Sequence, residues 1–197
     1  KGVELTLENL LINAQGIKDW FEIDDRDRFL VLLPLYHINS TTFCLSALLA
    51  GASNAVVPGY SNSKFWQQLA KTQSTFTSIV PTICYDQLSQ TEEFSKAKAD
   101  LKINRIQIGS APVVPHEVQK FMEQFAISLY QGYGQTETAL RVTGVPLNLE
   151  KNLYERLINE NSIGKPMSWA DVQVIDTQGN VLDEGQEGEI AAKGPAV

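Results

Sequence analysis

Five short apolar runs recur along this chain with helical pattern between them, at 29–33, 54–57, 76–80, 103–108 and 127–130. Continuous apolar runs of this length, closed by Pro34, by Pro58-Gly59 or by Gly109, read as strands buried on both faces. The intervening segments have helical period. Thr6 caps a helix reaching about Trp20, with Leu7, Leu10, Leu11, Ala14 and Ile17 on its inner side. A helix from about Ser40 ends at Gly51, and Ser61 or Ser63 caps another through Lys71 with Phe65, Trp66 and Leu69 inward. Pro81 and Pro115 open two more, as proline does at a first helical turn. Strands and helices alternating at this spacing predict βαβ units: an α/β fold with a largely parallel sheet flanked by helices.

Three stretches are less regular. Asp24, Asp25, Arg26 and Asp27 read as a solvated turn, and 92–102 as a solvent-exposed helix or loop of mixed charge. After Glu160 the grammar changes. Residues 171–176 alternate, Thr177-Gln178-Gly179-Asn180 is a turn, and 188–192 is a strand, which is the pattern of a hairpin. The expected division is an α/β part over 1–161 and the start of a small antiparallel β subdomain over 162–197.

Ligands of parallel sheets bind beyond the carboxyl ends of the strands. That rule selects 34–37, 109–112 and 131–137. The last lies in Leu-Tyr-Gln-Gly-Tyr-Gly-Gln-Thr-Glu, residues 129–137. Glycines allow close backbone approach, Tyr133 offers a flat apolar face with a polar tip, the Thr136 hydroxyl can reach a phosphate oxygen, and Glu137 is a hard oxygen ligand for Mg²⁺. Those are the parts needed to hold a purine nucleotide and its metal. The competing reading is a surface loop whose Tyr133 simply packs.

Charge and cysteines narrow the classes. Sixteen basic against twenty-three acidic residues give a net charge of −7, without the basic footprint that nucleic-acid binding requires. Cys44 and Cys84 form no CxxC pair and read as free thiols, in keeping with a reducing, cytoplasmic compartment. No segment reaches the roughly 18 apolar residues of a membrane span. Lys1-Gly2 leads straight into helical pattern, so no signal peptide is expected.

The chain resembles the adenylate-forming superfamily: acyl-CoA ligases, adenylation domains of nonribosomal peptide synthetases, and beetle luciferases. Lys1-Gly2-Val3 resembles the end of that family's phosphate loop, and Pro34-Leu35-Tyr36-His37 its Pro-x-x-His segment. Gly109-Ser110-Ala111-Pro112 is similar to its Gly-Ala-Pro turn, and Gln131 to Glu137 to its Tyr-Gly-x-Thr-Glu motif. Ile163-Gly164-Lys165-Pro166, and Gly188-Glu189-Ile190 with Gly194-Pro195, resemble two later segments. The resemblance spans the chain and identifies it as an internal part of the large N-terminal domain of a longer AMP-forming ligase.

The resemblance implies a two-step reaction, in which a carboxylic acid is activated by ATP as an acyl-adenylate and then transferred to coenzyme A. It places Tyr133 on the adenine, with Gly109, Ser110, Ala111, Pro112, Gln131, Gly132 and Gly134 around the nucleotide. It assigns Thr136 to the α-phosphate, Glu137 to Mg²⁺, and His37 to the acyl carboxylate and thiol tunnel. His116 reads as a surface residue. The implied partners are a small-molecule acid, ATP and coenzyme A, with fatty-acid metabolism as the broad setting. The family's glycine-rich phosphate loop, ribose-binding aspartate and catalytic lysine have no counterpart within the 197 residues, so the chain alone is expected to be inactive. A peptide-synthetase substrate is disfavoured because no acid lies between Asp27 and Asp86 to hold an α-ammonium. A non-catalytic binding module is the reading from another class, and retention of both Thr136 and Glu137 speaks against it. Thr41, Thr42 and Ser46 point towards a small or medium polar acid rather than a long acyl tail.

Overall fold

Each of the five apolar runs supplies a strand of one sheet. In the computed structural model, which describes residues 2–197, β1 (Arg28–Val31), β2 (Ser53–Val56), β3 (Phe76–Ile79), β4 (Arg105–Gly109) and β5 (Leu129–Gln135) lie parallel in the order β2-β1-β3-β4-β5. β6 (Leu140–Gly144) and β7 (Lys165–Pro166) continue it antiparallel beyond β5, for seven strands in all. β8 (Asp171–Ile175) and β9 (Glu189–Lys193) form a separate antiparallel pair. Asp176 shapes the turn after β8 by accepting from the backbone N–H groups of Gln178 and Asn180, both at 2.8 Å.

The sheet is covered on both faces, as continuous apolar strands require. Phe29 and Val31 point to one side, into a core with Ile17 and Phe21 of α1 (Leu7–Trp20) and Phe43 and Ala47 of α2 (Ile38–Leu49). Leu30 and Leu32 point to the other, where α3 (Phe65–Thr72), α4 (Pro81–Gln87), α5 (Thr91–Ala97), α6 (Pro115–Phe125) and α7 (Lys151–Asn159) pack. Trp66 is the hub of that second core, with ring centroids 4.7–4.9 Å from Phe125, Phe94 and Phe65. Fully burying a side chain of this kind stabilises by about 1.5–3 kcal/mol.

Local chemistry sets the helix starts. Thr6 and Asn9 form a reciprocal capping box, with bonds of 3.0 and 2.9 Å, and Pro81 and Pro115 occupy first turns. Cys44 and Cys84 are free, and burial pushes their thiols up to about 11 and about 12. Among the described residues no helix is long and apolar enough to cross a membrane.

Two readings of polar stretches are corrected. Asp27 is not solvated: it is buried, receives Arg105 Nη2 at 2.7 Å, and accepts the Thr75 hydroxyl at 2.6 Å. The charge run conceals one inward carboxylate because Arg105, 78 residues away in sequence, neutralises it. The stretch after Thr91 is a helix with an inner face, since Phe94 and Ala97 join the Trp66 core. Three elements go beyond the sequence reading. β5 runs on to Gln135 instead of ending at Tyr130, β6 answers it as a hairpin, and α7 covers the far side. The change of sheet falls between Pro166 and Asp171.

Candidate functional site

Gly109 and Gly132 are register partners at the carboxyl ends of β4 and β5. A Cβ on Gly109 would lie 2.5 Å from the Gly132 carbonyl oxygen, so the two strand ends approach as only glycine permits. Ser110 follows at φ +69°, a left-handed conformation that non-glycine residues adopt chiefly where the surroundings enforce it. Ser110, Ala111 and Pro112 are exposed beside it.

On β5 a bulge falls between Tyr133 and Gly134. Bulges re-aim side chains, and this one leaves the Tyr133 ring half-buried beside the Gly109 turn. Gly134 meets β6 so closely that its Cβ would lie 1.5 Å from the Leu140 carbonyl oxygen. Thr136 and Glu137 then sit exposed on a single 3₁₀ turn, Thr136–Thr138.

Two buried side chains fasten that turn from below. Asn13 of α1 donates from Nδ2 to the carbonyls of Thr138 (2.8 Å) and Arg141 (2.9 Å), and its Oδ1 accepts from the Arg141 backbone N–H at 3.3 Å. Thr42 of α2 donates to the Ala139 carbonyl at 3.1 Å. Each such bond is modest, but orphaning a buried carbonyl costs about 1–3 kcal/mol. The exposed Thr136–Glu137 pair therefore rests on a fixed base.

A small cavity of about 20 Å³ opens between α2 and the sheet, with room for one or two waters. Ser110, Gly132 and Tyr133 wall one part of it, and Asn39, Gln107 and Arg141 another. Arg141 is 3% exposed. Its Nε donates to the Thr143 carbonyl at 3.2 Å and its Nη2 points at the Gln131 carbonyl at 3.5 Å, while Nη1 has no partner. The guanidinium carbon lies 4.7 Å from the Phe21 ring and 5.5 Å from Trp20. Burial pushes the group down to about 9, and no carboxylate opposes the shift.

Of the residues singled out by sequence, Ser110, Gly132, Tyr133 and Gly134 meet around this cavity, with Gly109 against Gly132. Thr136 and Glu137 stand on the turn just beyond. His37 lies outside the cavity wall: it is exposed, and its Nδ1 accepts the Asn39 backbone N–H at 3.2 Å as the cap of α2. Gln131 is buried and commits its amide to Asn161 Oδ1 at 2.9 Å. Lys1 lies outside the described residues. Asn13, Asn39, Gln107 and Arg141 escaped the sequence reading, and Thr42, read there as part of the acid pocket, instead donates to the Ala139 carbonyl outside the cavity wall. A polar residue amid apolar ones signals burial only once the facing element is known.

Among the described residues no three His, Cys, Asp or Glu side chains cluster as a metal site. Mg²⁺ bound with a nucleotide takes one or two carboxylates and completes its shell with phosphates and water. The lone exposed carboxylate of Glu137 beside the Thr136 hydroxyl fits that requirement.

Fold and cleft together define an α/β protein with a candidate nucleotide cleft at the carboxyl ends of its parallel strands. A sequence profile described as AMP-binding enzyme matches residues 1–197, and the chain belongs to that family. It is 33% identical over its whole length to sulfoacetate–CoA ligase of Cupriavidus necator and 28% identical to 2-succinylbenzoate–CoA ligase of Enterococcus faecalis. It spans 37% and 39% of those two proteins. The whole chain also superposes on 40% of a long-chain-fatty-acid–CoA ligase from Archaeoglobus fulgidus, with TM-score 0.85 at 24% identity, which shows the shared fold.

Proposed function

We propose that this chain forms part of an AMP-forming acid–thiol ligase, which activates a carboxylic acid with ATP and passes the acyl group to coenzyme A. The observation that carries the reading is the convergence of the Gly109 turn, the Tyr133 bulge and the Thr136–Glu137 turn at the carboxyl ends of β4 and β5, in a member of the AMP-binding enzyme family. Relatives named as ligases of sulfoacetate, oxalate, 2-succinylbenzoate and crotonobetaine/carnitine support a small polar acid and coenzyme A as acceptor.

In this reading the Tyr133 ring stacks on adenine, and the glycine-lined ends of β4 and β5 admit its edge. The attack sets an anionic carboxylate against a polyanion, so holding the groups and neutralising charge do most of the work. The Thr136 hydroxyl donates to the α-phosphate. Glu137 would hold Mg²⁺, which when bound neutralises phosphate charge. The acid's carboxylate oxygen bonds to the α-phosphorus as the bond to pyrophosphate breaks. The coenzyme A sulfur then bonds to the acyl carbon, AMP leaves, and His37, at the mouth of α2, lies on the thiol's approach. Free thiols at Cys44 and Cys84 fit a reducing, cytoplasmic setting.

The test is AMP release and thioester formation across a panel of carboxylic acids, on a protein that joins this chain to the family's phosphate loop and C-terminal domain. AMP release that depends on both an acid and coenzyme A is expected. Nucleotide binding without turnover of any acid would favour a binding module instead. The 197 residues alone are expected to give no ATP–pyrophosphate exchange.

A further inference from the structure

Arg141 is a buried cation without a counter-charge, and the fold has made room for it. A Cβ on Gly144 would lie 1.9 Å from its Nη2, and a Cβ on Gly132 would lie 3.0 Å from its Cζ. Both glycines let the guanidinium lie across β5 and β6. It forms no ion pair among the described residues, and Nη1 is left without an acceptor although the residue is 3% exposed. Removing a charge from water in this way is costly unless something restores its partners.

The same side chain lines the cavity. Asn39 is 1% exposed; its Nδ2 donates to Gln107 Oε1 at 3.5 Å and its Oδ1 has no partner, so of the polar groups in the wall it is the Arg141 guanidinium that suits an anion. No aspartate or glutamate is in the wall. We propose that Arg141 is the specificity-determining residue of the acid pocket, and that the acid activated here carries a second anionic group, a carboxylate or sulfonate, which Arg141 binds.

The proposal rests on the ligase reading and specifies its substrate class. Guanidinium binds planar or tripodal oxyanions through paired N–H donors, more strongly than neutral groups. The cavity is small, about 20 Å³, so it admits only the terminal oxyanion of a short acid in place of water, with the rest of the acid towards Ser110, Gly132 and Tyr133, which that reading sets against the nucleotide. A monoanionic acyl tail would set methylenes against an unpaired charge, and an ammonium group would be repelled.

The experiment uses the full-length ligase and measures kcat/KM for AMP release with matched acids: propanoate against malonate, butanoate against succinate, and 3-sulfopropanoate. The wild type is expected to favour the doubly charged member of each pair by at least about 100-fold, as sites built to pair a polar group do. Arg141→Met keeps the aliphatic stem and is expected to bring that ratio below about 10, while Arg141→Lys retains part of it. A ratio near one in the wild type overturns the proposal without any variant. So does an unchanged ratio in Arg141→Met. Absence of AMP release from every acid, the monoanions included, sinks the ligase reading and this proposal with it. Release confined to monoanions sinks the proposal alone.

Discussion

Glu137 and Asp27 show how differently two carboxylates can be read from sequence. Glu137 ends a motif whose neighbours each have a chemical use, so its candidate role was legible without coordinates. It is exposed and joins no ion pair among the described residues, so Glu137→Gln removes a charge without opening a hole. On the proposed ligase reading, adenylation by the full-length protein is expected to fall by about 100-fold or more, the usual scale for losing one preorganised electrostatic group, with an unchanged melting curve. Asp27 looked like the last member of a solvated charge run, but it is buried against Arg105. Nothing near Asp27 in sequence announces that partner. Arg141 was hidden for a related reason. No strand is expected from the sequence at Leu140-Arg141-Val142, and an arginine there presents a face that water would ordinarily cover. Here that face is covered by α1, whose Asn13 binds the Arg141 backbone.

The β5–β6 hairpin is the element on which the candidate site turns, and half of it was invisible in the sequence. Glycines at 132 and 134 and a polar Gln-Thr-Glu run look like a loop because strand propensity there is low. Pairing supplies what propensity lacks: Tyr133 opposes Thr143, and Gly134 opposes Arg141 across a bulge. Gly134→Ala tests this directly. Its methyl would collide with the Leu140 carbonyl at 1.5 Å, and backbone cannot swing aside as a side-chain tip can. The substitution is expected to cost at least about 2 kcal/mol and to displace the Thr136–Glu137 turn. Chemical denaturation reads the first effect, and titration with a non-hydrolysable ATP analogue reads the second. A wild-type midpoint with wild-type nucleotide affinity would mean that the hairpin is looser than its contacts imply.

At the scale of the whole molecule, the sheet was legible because period-two burial on both faces leaves a plain trace: Phe29 and Val31 feed one core, Leu30 and Leu32 the other. Charge burial leaves no such trace, yet it bears on global stability. Contacts between Arg141 and the Phe21 and Trp20 rings contribute about 2 kcal/mol at most, and its long bonds to the Thr143 and Gln131 carbonyls, at 3.2 and 3.5 Å, add about 1 kcal/mol. Desolvating an ion costs several kcal/mol even after relaxation. The balance is unfavourable, so Arg141→Met is expected to raise the melting temperature at pH 7, by about 2–4 °C for each kcal/mol recovered in a chain of this size. The pH dependence follows from the sign of the shift. Burial pushes the folded guanidinium down to about 9, below its ordinary 12.5. Between those values the unfolded chain holds a proton that the folded chain has lost, so this group's contribution to stability rises with pH. It falls away again as pH drops through about 9. The advantage of Arg141→Met should therefore be full at pH 7 and shrink above about pH 9, a difference that cancels the opposing ionisation of Cys44 and Cys84 common to both proteins. Paired thermal melts from pH 7 to 10.5 measure it. A variant less stable than the wild type at pH 7 would show that the aromatic contacts outweigh the desolvation of the charge.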